Sequence, residues 1–345
     1  MVKSAVRAMD TITAVLAARE SSIDVDRFVV AGGSKRGWTT WLTGAMDQRV
    51  VAIAPIVIDV LNADTSMRHH FAAYGFWAPS IGNYVDHGIM ERMDDPKLAE
   101  LYRLVDPYYY RHRLTMPKYI VNASGDQFFL PDSSQFYLSD LRGETYLRYV
   151  PNADHSLDDS DALAGLVAFH SLVASGRKPP SIDWRWDDER LTIFTSDEPA
   201  QVKLWQATNP SARDFRIETF GAGFVSRPLD PTGPGVYQTS IEPPDSGWTA
   251  AFAEATFAVD GKAYKVSTSV RVTPDEVPFA GKSPSRPASI TAVCTPADRT
   301  DADALGKTLT SELRRNRIGR RARAIVKSGR LYVNWTPARG LYLGA

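Results

Sequence analysis

Ser34 is the residue of this sequence that most directly suggests chemistry, because it stands in a glycine-lined corner. An apolar run precedes the corner, Gly32 and Gly33 come directly before the serine, and Gly37 follows after two basic residues. The pattern predicts a buried strand that turns sharply into a helix, and such a corner exposes a serine oxygen as a nucleophile. It also leaves the backbone N–H of Lys35 free to face an oxyanion. A glycine-rich turn with an incidental serine is the alternative.

Two further residues complete a possible catalytic triad. Asp126 follows the predicted strand 119–123, and His155 follows the predicted strand 145–150. Catalytic groups gather at the carboxyl ends of parallel strands, so these positions favour a shared site with Ser34. Histidine can take the serine proton and return it to a leaving group, and an aspartate can hold the imidazole in the required tautomer. The chain order serine, acid, histidine is the order of α/β-hydrolase triads.

Other residues fit these roles less well. None of the remaining histidines follows a predicted strand; they are His69, His70, His87, His112 and His170. Asp132 opens a predicted helix over about 132–141, so we interpret it as an N-cap rather than the catalytic acid. Asp154 directly precedes the base and competes for no role.

Helical and strand patterns alternate from residue 1 to about 177, and this predicts a parallel sheet with helices on both faces. The segment 60–113 interrupts the alternation, is rich in aromatic residues and histidine, and is interpreted as an inserted cap. The predicted strands are 27–31, 50–58, 119–123 and 145–150, and the predicted helices end near Glu20, Met46 and Ala174.

The composition changes after residue 178. Short alternating runs separated by turn residues predict a small β-sandwich of the immunoglobulin or fibronectin type over 181–278. The predicted strands include 191–195, 201–205, 249–257 and 263–270. Trp205 and Trp248 either bind carbohydrate or belong to the sandwich core.

Residues 279–345 are interpreted as a low-order or basic tail. Six arginines lie between residues 314 and 323 and are predicted to form a helix. This basic helix either binds an anionic partner or is simply solvated.

Composition excludes several classes of function. The 345 residues carry 40 basic and 40 acidic side chains, so no overall charge favours nucleic acid. Cys294 is the only cysteine, so no intrachain disulfide and no cysteine-based metal site can form. We predict no cofactor and no metal, since Asp158, Asp159 and Asp161 fit a helix N-terminus better than a calcium loop. No apolar run is long enough to span a membrane, and the N-terminal pattern predicts an amphipathic helix rather than a signal peptide.

Four motifs resemble the PhoPQ-activated pathogenicity-related proteins, over about residues 1–280 of this chain. They are the serine corner 32–39, the cap segment 70–79, the acid segment 122–132 and the base segment 149–157. The resemblance implies an α/β fold: a partial α/β-hydrolase parallel sheet with a helical cap, followed by a small β-sandwich. It also implies an exported location, periplasmic or secreted, and a link to virulence and to resistance against cationic antimicrobial peptides. The Gly-x-Ser-x-x-Gly corner is also similar to that of glucuronoyl esterases.

One departure from an α/β-hydrolase bears on activity. About four strands normally precede the nucleophile strand and supply the second oxyanion donor, whereas one helix precedes Ser34 here. We therefore expect an N-terminally truncated chain with a complete triad, an open apolar edge at strand 27–31 and only the Lys35 donor. Losing one oxyanion donor costs on the order of 100- to 1000-fold in rate.

The sequence thus predicts a serine hydrolase of esterase or peptidase type. Its substrate would be a small molecule or a peptide or carbohydrate ester. The cap residues His70, Tyr74 and Trp77 either line a substrate pocket or form a packed aromatic core. The alternative function is that of a non-catalytic envelope or binding protein that retains a hydrolase fold.

Overall fold

The computed structural model describes residues 1–19, 23–282, 290–294, 307–311, 319–327 and 330–337. The chain divides into two compact units. The first contains residues 1–68 and 99–276, and the second contains residues 69–98 and 277–345. No helix of the described ranges combines the length and the apolar character that a membrane span requires.

Residues 307–311 are helical, and seven further α-helices lie in the described residues between 1 and 282. They are α1 (Val2–Ala17), α2 (Lys35–Met46), α3 (Ala63–Tyr74), α4 (Gly82–Asp86), α5 (Pro96–Val105), α6 (Ala162–Ala174) and α7 (Ile217–Phe220). Short 3-10 helices cover Pro79–Ile81, Met90–Arg92, Pro107–Arg113, Ser133–Phe136 and Leu138–Asp140.

A four-stranded parallel sheet forms the base of the first unit. Its strands are β1 (Phe28–Gly33), β2 (Val50–Ile56), β3 (Lys118–Ala123) and β4 (Thr145–Val150), in the order β1-β2-β3-β4. The inner strands β2 and β3 are almost wholly buried, which explains their near-continuous apolar sequences. All pairings are parallel, so the carboxyl ends of the four strands lie at one edge of the sheet. The predicted α/β sheet is therefore present.

Two antiparallel sheets follow in the same unit and form the predicted β-sandwich. Their strands are β5 (Ile182–Asp187), β6 (Arg190–Thr195), β7 (Gln201–Asn209), β8 (Val225–Pro228), β9 (Pro231–Gly233), β10 (Val236–Ser240), β11 (Trp248–Val259), β12 (Lys262–Ser267) and β13 (Arg271–Thr273). One sheet has the order β5-β6-β10-β9, and the other has the order β12-β11-β7-β8 with β13 paired to β11.

The parallel sheet and the sandwich share one hydrophobic core. Tyr119 of β3 and Phe169 of α6 belong to the same buried cluster as Tyr264 of β12. Strand β12 lies beside β4, and the Tyr149 N–H donates to the Ser267 hydroxyl over 2.8 Å. Burying this surface removes apolar area from water on both sides, so the sandwich contributes to the stability of the sheet. The predicted boundary near residue 178 stays a prediction.

The second unit contains part of the predicted cap together with the C-terminal residues. The Phe279 N–H donates to the Ala72 carbonyl over 2.8 Å, and the Phe279 ring occupies the space beside Gly75, where a Cβ would lie 2.7 Å from it. Strands β14 (Ile290–Cys294), β15 (Gly319–Lys327) and β16 (Arg330–Pro337) form an antiparallel sheet in the order β14-β16-β15.

Two predictions of local structure are wrong. The basic helix expected over 314–323 is a strand from residue 319 onward, because arginine and alanine alternate with the period of two that suits a strand. Residues 314–318 lie outside the described residues. The helix expected over 132–141 is two 3-10 helices, Ser133–Phe136 and Leu138–Asp140, separated by the buried Tyr137.

The serine corner allows a test of its steric basis. A Cβ at Gly32 would lie 2.8 Å from the Arg36 carbonyl oxygen, whereas a Cβ at Gly33 would have only Val57 Cγ2 within 4.0 Å. We expect Gly32→Ala to lower the free energy of unfolding by about 1–3 kcal/mol, since overpacking costs this much. Gly33→Ala, the matched control, should change it by less than about 0.5 kcal/mol. Urea denaturation measures both, and equal effects would contradict the steric account.

Candidate active site

Ser34 sits between β1 and α2 in a strained backbone conformation. Its φ of 56° and ψ of −125° lie outside the regions that a residue with a Cβ normally adopts. The Ser34 N–H donates to the Ile56 carbonyl over 2.8 Å, and its carbonyl accepts from the Trp38 N–H over 3.0 Å. A Cβ at Gly37 would lie 2.9 Å from the Gly32 carbonyl oxygen. The two glycines therefore let helix and strand approach closely enough to expose the serine.

Lys35 is the first residue of α2. The first N–H groups of a helix have no intrahelical acceptor, and they carry the positive end of the helix dipole. The Lys35 N–H therefore lies next to Ser34 with the polarity that an oxyanion requires. The Lys35 side chain is exposed.

The structure brings Ser34, His155 and Asp126 together in one hydrogen-bonded chain. His155 Nε2 lies 2.7 Å from Ser34 Oγ, and His155 Nδ1 lies 2.8 Å from Asp126 Oδ2. The His155 side chain is 14% exposed and the Asp126 side chain is 3% exposed. The imidazole can thus meet a ligand, whereas the carboxylate is shielded from water.

The Asp126 carboxylate is held in one orientation. Its Oδ1 accepts from the Phe128 N–H over 2.7 Å and from the Phe129 N–H over 3.4 Å, while Oδ2 faces His155. Burial raises the pKa of Asp126, and the hydrogen bond and charge of His155 act in the opposite direction. A buried carboxylate in this position gains most when the imidazole becomes charged.

Two residues next to the acid hold the base, and sequence reasoning did not assign them. The His155 N–H donates to Gln127 Oε1 over 3.0 Å. The Phe128 ring centroid lies 4.3 Å from that of the imidazole. Their position directly after Asp126 was the available signal, because a turn that carries the acid also faces the base.

A buried carboxyl, Asp59, lies near the acid and was also missed. It follows β2, and its oxygens accept from the Tyr137 hydroxyl over 2.7 Å and the Tyr149 hydroxyl over 2.5 Å. Burial raises the pKa of Asp59 to about 8; the tyrosine hydrogen bonds oppose this, and the charges of Asp126 and Asp132 add to it. Asp59 is therefore neutral at neutral pH. The rule that found the other groups, a polar residue after a buried strand, applies here too.

Asp132 differs from its predicted role. It occupies the N-cap position of Ser133–Phe136, but its side chain makes no capping hydrogen bond. Its Oδ2 accepts instead from Arg213 Nη2 over 2.6 Å and from Gln135 Nε2 over 3.1 Å. Asp132 and Arg213 are both buried, so the ion pair offsets the cost of taking two charges out of water.

The three cap residues named from the sequence lie in the second unit. His70, Tyr74 and Trp77 are all buried. The His70 ring centroid lies 4.8 Å from that of Tyr74 and 5.7 Å from that of Trp77. His70 Nε2 accepts from the Ala78 N–H over 3.1 Å. This packing favours the aromatic-core alternative, and a role in substrate binding stays a prediction.

Comparison with known protein families shows to which family the chain belongs. The family model described as PhoPQ-activated pathogenicity-related protein matches residues 1–216. This chain belongs to the PhoPQ-activated pathogenicity-related protein family. Within it, the parallel sheet and serine corner give an α/β-hydrolase-like fold of the serine hydrolase type, with a β-sandwich attached.

The chain is also similar to individual proteins. It is 36% identical over 312 residues to autocrine proliferation repressor protein A of Dictyostelium discoideum. The matched region covers 82% of this chain and 63% of that protein. Among solved structures, an acetyl xylan esterase from Paenibacillus sp. R4 is 18% identical with a TM-score of 0.38, covering 50% of this chain and 51% of the esterase. A puromycin-hydrolyzing peptidase of Mycobacterium tuberculosis is 18% identical with a TM-score of 0.38, covering 52% of this chain and 26% of the peptidase. The chain thus spans less than two thirds of each of these proteins.

The buried Asp59 carboxyl predicts a specific pH dependence of stability. Its pKa is about 8 in the folded chain and about 4 in an unfolded one, so between these values folding takes up a proton. The free energy of unfolding of the wild type, relative to Asp59→Asn, should therefore fall as pH rises, by up to about 1.4 kcal/mol per pH unit. Urea denaturation at several pH values between 5 and 7 measures this difference.

Asp245→Asn is the control, because Asp245 is exposed. Its stability should run parallel to that of the wild type over the same pH range. A constant difference between wild type and Asp59→Asn would mean that Asp59 is charged in the folded chain.

Proposed function

We propose that this chain is a serine hydrolase that cleaves an ester or amide by acyl transfer through Ser34. The observation that carries the proposal is the unbroken sequence of short contacts, 2.7 Å from Ser34 Oγ to His155 and 2.8 Å from His155 to Asp126. The strained backbone of Ser34 supports it, since such strain is common at catalytic positions.

The first step forms an acyl-enzyme. Ser34 Oγ attacks the substrate carbonyl carbon while His155 Nε2 takes the hydroxyl proton. The carbonyl oxygen becomes an oxyanion, which the Lys35 N–H stabilises, and Asp126 stabilises the imidazolium. The tetrahedral intermediate collapses when the bond to the leaving group breaks, and His155 gives its proton to the departing alcohol or amine.

The second step releases the acid. His155, now neutral, takes a proton from water, and the resulting nucleophile attacks the acyl carbon. The bond to Ser34 Oγ then breaks, and His155 returns the proton to the serine. Phe128 packs against the imidazole throughout, so the ring keeps the orientation in which Nε2 faces the serine. Small-molecule, peptide and carbohydrate esters remain the substrate classes proposed.

A non-catalytic function is the second candidate. The relative from Dictyostelium discoideum is named a proliferation repressor, a name that describes regulation rather than hydrolysis. A chain that keeps the hydrolase fold as a binding module would serve such a role. The two candidates differ in whether Ser34 is nucleophilic.

A fluorophosphonate probe separates the candidates. We expect the full chain to form a covalent adduct on Ser34, detected by peptide mass spectrometry, because the activated oxygen attacks phosphorus as it would a carbonyl carbon. Ser34→Ala should abolish the adduct. Asp126→Asn should slow its formation on the order of 10⁴-fold, since the imidazole loses its orienting carboxylate.

Ser175→Ala serves as the control, because Ser175 is an exposed serine at the end of α6. Labelling of this variant should match that of the wild type. A folded wild-type chain that forms no adduct, or an adduct that persists in Ser34→Ala, would favour the binding protein over the enzyme.

The family description extends the proposal to biology. It names pathogenicity, and we infer a role in virulence or in resistance to antimicrobial peptides, at an exported location. Survival of a strain that carries Ser34→Ala, compared with one that lacks the chain, measures whether that role depends on catalysis. Equal loss of survival in both strains is the expected result.

A further inference from the structure

The segment that joins β7 to β8 in the sandwich, residues 210–224, contacts the turns that carry the acid and the base. We call it the sandwich clamp. It contains α7 and lies far along the chain from Asp126 and His155. Two separate groups of hydrogen bonds connect it to the site, one to each turn.

The first connection reaches the acid turn at Gly125. The Ile217 N–H donates to the Gly125 carbonyl over 3.0 Å, and the Gly125 N–H donates to the Ala153 carbonyl over 3.0 Å. A Cβ at Gly125 would lie 3.1 Å from the Ala153 oxygen and 3.2 Å from the Ile217 nitrogen. The backbone directly before Asp126 is thus held from both sides, by the clamp and by the base loop.

The second connection reaches the base loop at Asn152. Its Nδ2 donates to the Phe224 carbonyl over 2.8 Å, and its Oδ1 accepts from the Phe224 N–H over 2.9 Å. Because the Asn152 amide both donates to and accepts from the backbone of Phe224, it fixes the position and the orientation of that backbone. Asn152 has a φ of 55°, a left-handed conformation that asparagine tolerates and most residues avoid.

The clamp itself is anchored in the sandwich core. Phe215 and Phe224 are buried, and the Phe224 ring centroid lies 5.7 Å from that of Phe252 in β11. At its start, Arg213 forms the buried ion pair with Asp132, which also follows the acid. Buried contacts therefore hold the clamp near both of its ends.

We propose that the sandwich clamp is a positioning element of the hydrolase site, and that Ile217 of the clamp and Asn152 of the base loop are the positioning residues. By fixing Gly125 and the base loop relative to one another, it sets the distances from Asp126 to His155 and from His155 to Ser34. The inference rests on the proposed function, because its consequence for rate requires that the triad be catalytic. Its geometric content can be measured independently.

Ile217→Pro breaks the first connection at a position whose own backbone conformation accepts proline. Ile217 is the first residue of α7, where proline is favoured, and Arg216 before it has φ of −62° and ψ of 136°, which proline accepts in its neighbour. The variant loses the N–H that bonds Gly125, and the proline Cδ takes the place of that hydrogen and pushes the Gly125 carbonyl away. We expect a 10- to 100-fold fall in the rate of fluorophosphonate inactivation, since a displacement of about 1 Å costs this much. The conservative variant Ile217→Val keeps the N–H and should restore the wild-type rate.

Asn152→Gly removes the second connection and suits the positive φ at that position. We expect a fall in rate of similar size. Asp159→Gly is the matched control: Asp159 also has a positive φ, 58°, in the same loop, and its side chain is exposed. Its rate should equal that of the wild type. Thermal denaturation of each variant shows whether the fold persists, and Asn152→Gly decides the matter if Ile217→Pro does not fold.

A proton NMR spectrum adds a readout that does not depend on reactivity. The Nδ1–H proton between His155 and Asp126 gives a downfield resonance, which should broaden or move in Ile217→Pro and Asn152→Gly but stay in place in Asp159→Gly. Unchanged rates and an unchanged resonance in both folded variants would overturn the clamp. A wild-type chain that shows the resonance but never reacts with the probe would overturn the proposed function alone.

Discussion

The site depends on the distance between the strand that precedes Ser34 and the strand that precedes His155. Strands in a sheet lie about 4.8 Å apart, so β4 is about 14 Å from β1 in the order β1-β2-β3-β4. Ser34 follows β1, whereas His155 follows β4. The imidazole must therefore cross the ends of β3 and β2 before it can reach the serine. A loop that carries a side chain so far from its own strand needs support along the way.

The acid turn after β3 provides the nearest support. It bonds the crossing loop through the Gly125 N–H to the Ala153 carbonyl and through Gln127 Oε1 to the His155 N–H, each over 3.0 Å. Phe128 of the same turn packs against the imidazole. The turn that carries Asp126 therefore also holds the loop that carries His155, so a movement of this turn displaces both residues. This coupling explains why contacts to Gly125 bear on the distance to Ser34.

That Ser34, Asp126 and His155 lie together could be predicted, because each carries a local signal. A buried apolar strand followed by a polar residue marks Ser34, Asp126 and His155 independently, and the parallel sheet then gathers them. The groups around them carry no such signal, since Asn152 and Phe224 meet only when the sandwich folds against the sheet. The predicted helix over 132–141 is wrong for a related reason: Ser133, Ser134 and Tyr137 are buried, and the segment forms two short 3-10 helices. The periodicity of apolar residues predicts only the local structure of a segment, whereas the burial of polar groups depends on partners far along the chain.

Strand β4 connects the predicted site residues to the sandwich. The Tyr149 N–H donates to Ser267 of the sandwich over 2.8 Å, while its hydroxyl donates to Asp59 over 2.5 Å. One residue thus joins the strand that carries the base to the sandwich at its backbone and to the buried carboxyl near the acid at its side chain. β4 is an edge strand of the parallel sheet. If its edge were exposed to water, its unpaired backbone groups and apolar face would favour pairing with other chains. The sandwich therefore helps to hold the strand from which His155 reaches Ser34, so the association of the two sheets and the positions of Ser34, Asp126 and His155 depend on one another.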